Sequence, residues 1–140
     1  MVLRYPNAHF HLLLSIVSIW ISIRAHTNPH FTVNSSQSTT VTELGSGFSI
    51  RYVTPGSGIV GDYVADNFVV GDMALQKITM AVATIARHVD TGIMGIGFDT
   101  DESLPLGKKT YPNIVDEMMT QGLISTRAYS LWLDDLSKTI

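Results

Sequence analysis

The sequence predicts an all-β protein, mainly strands with one or two short helices. Three observations support this. The composition is rich in Val, Ile, Thr, Ser and Gly and low in charge, which favours strands and tight turns. Apolar residues alternate with polar ones along "GFSIRYV", and strand residues alternate faces. Turn residues stand between such runs, as at Thr54-Pro55-Gly56-Ser57-Gly58.

With 140 residues the chain is long enough for one domain or a piece of a larger one. At this size roughly two-thirds of the unfolded surface can be buried. Acidic residues outnumber Lys and Arg by 12 to 9, and no basic stripe runs along the chain. Nucleic acid is therefore discounted as a partner. There is no cysteine, so disulfides, thiolate metal sites and a cysteine nucleophile are excluded. The lack of cysteine does not fix the compartment, because a large enough secreted domain can do without disulfides.

The first segment, 1–25, is set apart from the rest, 26–140. It holds an apolar run from Phe10 to Ile23, broken by His11, Ser15, Ser18 and Ser22. The run is short for a membrane span, which needs about 20 apolar residues, and is about as long as a signal-peptide core. Ala25 can end a cleavage site, although Ile23 is larger than the residue usually preferred there. Two readings stay open: a signal peptide, or a buried strand or start unrelated to the fold.

"NSSQSTTVTELGSG", residues 34–47, reads as a polar surface loop. Asn34-Ser35-Ser36 is a glycosylation acceptor pattern, of use only in a secreted chain. A hairpin follows over Phe48 to Val70. Phe48, Ile50 and Tyr52 share one face, Ser49 and Arg51 the other, and the tip lies near Pro55 to Gly58. A second turn is expected at Gly71-Asp72. Residues 73–86 fit two patterns: Ile78, Met80 and Val82 alternate as in a strand, while Ala74, Ile78, Ala81 and Ile85 fit a helix face.

"YPNIVDEMMTQGL" predicts a short helix. Asn113 can cap it, Asp116 and Glu117 stand in its first turn, and Gly122 can close it. Ile114, Val115, Met118 and Met119 form its apolar face, with the methionines expected in the core. In "AYSLWLDDL", Tyr129, Leu131 and Leu133 alternate as in a strand. The chain shows no internal repeat.

Chemistry has few places to start. Of the five histidines, four crowd into residues 9–30 and none has a carboxylate at helical spacing, so no metal site is expected. There is no G-x-S-x-G elbow for serine chemistry. The glycines of "GIMGIG" open no helix, which argues against a nucleotide loop. That leaves carboxylates. Asp90-Thr91-Gly92 is a triplet that can carry a catalytic aspartate. Acid proteases activate water with two aspartates that share one proton, because two like charges so close cannot both ionise. A chain with one such triplet must therefore dimerise or lack a part.

From Phe31 onward the chain resembles the pepsin-like aspartic proteases, in particular the fungal yapsin-like or secreted kind. "FTVNSSQSTT" resembles that family's "F-x-P-S-x-S-S-T" loop. "FSIRYVTPGSGIVGDYVADNFVVGD" is similar to its flap hairpin. "DTGIMGIGF" resembles its "D/E-G-I-L-G-h-G", where h is apolar. "YPNIVDEMMTQGLISTRAYSLWLDD" is similar to the helix and strand that follow. The resemblance implies part of the N-terminal lobe of a pepsin-like fold, an aspartic-type endopeptidase activity, a peptide or protein substrate and no cofactor. It also implies a second lobe in the full-length protein, and a secreted, extracellular or cell-surface location.

The same resemblance places Asp90 after the flap, whereas the family's first catalytic triplet precedes it. Gly92, Ile93, Met94 and Gly95 match a segment that braces the catalytic turn. Asp90 is thus a weak catalytic candidate, and Asp72 and Asp99 are turn residues. The Asp-Thr-Gly-Ser motif expected near "MVLRYPNAHF" is absent, so no catalytic residue is identified. Val53 stands where the flap usually has glycine. Three positions carry over as substrate-facing: Tyr52, the flap tyrosine; Thr54, a flap residue able to bond an extended peptide; and Ile93, lining a side-chain pocket.

The expectation is a fragment of such a protease, inactive alone. Two alternatives remain. One is a retroviral-type homodimer that uses Asp90, although there too the triplet precedes the flap and Ala or Ser usually follows it. The other is a non-catalytic peptide-binding or inhibitory β-domain.

Overall fold

The structure is a computed structural model. It describes residues 38–70, 72–89, 92–99 and 110–130, with the backbone of 11–13 and 20–23. Six strands and one helix follow in chain order: β1 (His11–Leu13), β2 (Trp20–Ile23), β3 (Thr42–Arg51), β4 (Gly58–Val70), β5 (Met73–Arg87), β6 (Ile93–Gly95) and α1 (Ile114–Thr120). The strands form one sheet in the order β1-β6-β2-β5-β4-β3. The long strands β3, β4 and β5 pair antiparallel. β2 runs parallel to β5, and β6 lies between β1, to which it is parallel, and β2, to which it is antiparallel. β1 and β2 fall within the segment 1–25, and both pair with strands from beyond it.

The expected hairpin forms, with Arg51 opposite Gly58 as the last pair before the tip. Val70 pairs with Met73, so residues 71 and 72 alone join β4 to β5, as a two-residue hairpin loop requires. The ambiguous stretch 73–86 is a strand. Its pattern was ambiguous because both faces are covered. Ala81 and Ala83 belong to one apolar cluster with Phe48, Ile59 and Tyr63. Ile78, Met80 and Val82 belong to a second, with Val64, Phe68, Leu75 and Ile114. A strand buried on both faces reads as a continuous apolar run.

Two expectations need correction. The polar stretch 34–47 is not all loop, since β3 begins at Thr42; residues 34–37, including Asn34, lie outside the described residues. Backbone pairing with β4 outweighs composition here. Register shifts at Glu43/Gly45 and Ser46/Phe48 take up the glycines as bulges. The strand expected over Tyr129 to Leu133 does not form at Tyr129 and Ser130, where the backbone is irregular and Tyr129 is exposed. No described strand pairs with it, and alternation without a partner does not make a strand. Leu131 and Leu133 lie outside the described residues.

α1 has the predicted punctuation. The Asn113 Oδ1 accepts from the Asp116 backbone N–H at 2.7 Å. Gly122 (φ 74°) donates to the Met119 carbonyl and Leu123 to the Met118 carbonyl, a Schellman closure. Ile114 is buried and Val115 and Met118 pack against the second cluster, while Met119 is half-buried outside it. Gln121 ties the helix end to the sheet, its amide accepting from the Gln76 N–H at 2.8 Å and donating to the Gln76 carbonyl at 3.0 Å.

Candidate functional site

The β3–β4 tip is built from a Pro-Gly turn. The Ser57 N–H donates to the Thr54 carbonyl at 3.0 Å across Pro55 and Gly56. Gly56 has φ 79°, the left-handed value that a type II turn demands of its third residue, which glycine adopts without steric cost. The Ser57 hydroxyl donates to the same carbonyl at 2.7 Å. The Tyr52 N–H donates to the Ser57 carbonyl at 3.3 Å. Ser57 is itself buried, so it pins the tip from inside. Its position straight after Pro-Gly was the available signal, though the sequence reading did not single it out. His88, with φ 52°, comes from the far end of β5, and its Cδ2 stands 4.0 Å from where a Gly56 Cβ would lie. The turn after β5 thus meets the hairpin tip.

Tyr52 lies at the root of this tip, on the face that alternation assigned to it. It packs half-buried against the cluster of Phe48, Ile59, Tyr63, Ala81 and Ala83. Ile93, the first residue of β6, packs against the same cluster, as do Val89 and Tyr111. Two of the three positions that the resemblance marks as substrate-facing therefore pack against one apolar cluster. Thr54 stands exposed at the tip, and its carbonyl is occupied by Ser57. Asp90 lies outside the described residues, one position after Val89. Asp72 is an exposed turn residue, and Asp99 is half-buried in a short helical turn.

The Tyr52 hydroxyl is buried and makes no hydrogen bond among the described residues. Burial pushes its pKa up to about 12, because desolvation disfavours the phenolate. At neutral or acid pH the group is a hydrogen-bond donor and not a base. An unmade hydrogen bond at such a group costs about 1–3 kcal/mol. Among the described residues no three metal-ligating side chains come together.

This hairpin, its half-buried tyrosine and the strand lying between β1 and β2 define part of a lobe of the acid-protease class. The family model for the eukaryotic aspartyl proteases matches residues 15–139. The chain belongs to that family, the pepsin-like aspartic proteases. It is 39% identical over 108 residues to a probable aspartic-type endopeptidase OPSB of Arthroderma otae, covering 76% of this chain and 22% of the relative. It is 39% identical over 103 residues to the opsB protein of Aspergillus fumigatus, covering 72% and 21%. It is 41% identical over 106 residues to secreted aspartic protease 8 of Candida albicans, covering 76% and 25%. The chain thus spans about a fifth to a quarter of the length of these relatives.

Proposed function

We propose that this chain supplies the flap side of a peptide-binding cleft in an aspartic-type endopeptidase, and that by itself it does not hydrolyse peptides. The observation that carries the first part is the Tyr52 hydroxyl, buried on the floor shared with Ile93 and unpartnered among the described residues. An extended peptide offers a carbonyl for that hydroxyl and a side chain for the floor. The substrate class on this reading is a peptide or protein, and the complete cleft needs a second lobe.

The second part rests on carboxylates. No Asp or Glu precedes Glu43. The segment that resembles the brace, Gly92 to Gly95, holds β6, and β6 pairs with β1 and β2 of that carboxylate-free stretch. The sole Asp-Thr-Gly is 90–92, and Ile93 follows it. An aspartate dyad needs two such groups around one water. The name of the Candida albicans relative, a secreted protease, supports an extracellular or cell-surface location.

The binding half is tested by titrating the chain with an uncleavable statine-type peptide and following heat or amide shifts. Binding is expected to weaken on the order of tenfold in Tyr52→Ala, with Ile93→Ala acting in the same direction. Equal affinity in the parent and in folded Tyr52→Ala would overturn the reading.

A further inference from the structure

The opposite face of the same hairpin carries a second constellation. Ser49, Val60 and Ile85 stand in one cross-strand row, and Arg51, Gly58 and Arg87 in the next row toward the tip. Side chains opposite one another share a face, so two guanidinium groups flank a residue that has no side chain. The two arginine backbones lie two strands apart, about 10 Å. The Arg51 stem leans inward, with its Cγ 3.7 Å from where a Gly58 Cβ would be. Both arginines are exposed, and neither forms an ion pair among the described residues, where Arg127 pairs with Asp116. Beside them Val60 and Ile85 form an apolar pair, 45% and 51% exposed. A concavity of about 490 Å³ runs over these two rows.

We propose that this outer face binds an extended peptide segment of the pattern acidic-x-apolar. The spacing argues for a peptide over a free anion. The rows are two residues apart along the strands, roughly 6.8 Å, which is also the distance between side chains i and i+2 of an extended chain. One carboxylate placed above Gly58 is shared by Arg51 and Arg87, relieving their mutual repulsion. The side chain two residues on covers Val60 and Ile85. Charge complementarity selects the acidic partner: two cations with no ion pair among the described residues stand together on a chain whose net charge is −3. Tyr52 packs against the cluster on the other face and also borders the concavity; the acidic-x-apolar pattern itself rests on Arg51, Arg87, Val60 and Ile85 and not on the cleft reading.

The test is fluorescence anisotropy of the full chain with a labelled heptapeptide centred on Glu-Thr-Leu, at low and at physiological salt. Saturable binding is expected. It weakens on the order of tenfold when the peptide carries Gln-Thr-Leu, and again when the protein carries Arg51→Gln with Arg87→Gln. Lys77→Gln with Arg127→Gln, which removes equal charge elsewhere, leaves it unchanged. Equal affinity for the Gln-Thr-Leu peptide overturns the proposal, as does equal loss in the Lys77/Arg127 variant. A Glu-Thr-Ser peptide that binds as tightly leaves an anion site and overturns the peptide pattern. The peptide comparisons use the unaltered chain, so they decide the matter even where a double variant fails to fold.

Discussion

Asp66, buried on β4, accepts the hydroxyl of Ser38 at 2.8 Å, and so fastens the stretch before β3 to the strand beyond it. The Thr40 hydroxyl and the Asn67 N–H donate to the same carboxylate. Removing a buried acceptor leaves its donors unmade. Asp66→Ala is expected to lower stability by about 2–4 kcal/mol. Asp66→Asn keeps an acceptor and is expected to cost less. Urea unfolding followed by circular dichroism measures both.

Gly61 lies at a register shift between β4 and β5. A Cβ there would stand 2.1 Å from the Val82 carbonyl oxygen and 2.9 Å from the Ala83 Cα. These are backbone atoms of a paired strand and cannot swing aside. Gly61→Ala is expected to cost about 3 kcal/mol or more, read as a fall in the urea midpoint. Gly45→Ala offers a comparison: there is open space around that position, so only its φ of 145° opposes the change.

Tyr52 is expected to ionise late, near pH 12, because burial opposes the phenolate. The unfolded chain releases this proton near pH 10. Between those values the folded state holds a proton that the unfolded state has lost. Stability from this group is therefore full below about pH 10 and falls as pH rises toward 12. Ultraviolet titration at 295 nm checks this, a late component that loses one tyrosine's amplitude in Tyr52→Phe. Because the hydroxyl has no partner among the described residues, Tyr52→Phe is expected to match or exceed the parent in stability while binding a statine-type peptide more weakly.

How much of this was legible in the sequence depended on how local the cause was. The α1 caps were readable because Asn113 and Gly122 act within one turn of themselves. The hairpin was readable because Phe48, Ile50 and Tyr52 face one apolar cluster while Ser49 and Arg51 face solvent. Residues 73–86 were ambiguous because two clusters cover β5, which erases the polar half of the alternation. Residues 42–47 looked like loop because an edge strand of polar residues and glycines is held by backbone bonds that composition does not record. The packing of Tyr52 and Ile93, 41 positions apart, against one cluster followed from no spacing. The family resemblance proposed both for the substrate side, and the fold sets them on one floor. The link between Gln76 and Gln121 likewise joins residues that no periodicity relates.

The central claim is that this chain carries the flap side of an acid-protease cleft without its own catalytic pair. The most direct measurement is digestion of a fluorogenic peptide or casein by the purified chain across the acid range, with Asp90→Asn as control and a statine-type inhibitor as probe. The account predicts hydrolysis no faster than background, since bound peptide without a positioned base does not turn over. Cleavage that the inhibitor blocks and that vanishes in Asp90→Asn would contradict it, and would make Asp90 the catalytic aspartate of a homodimer.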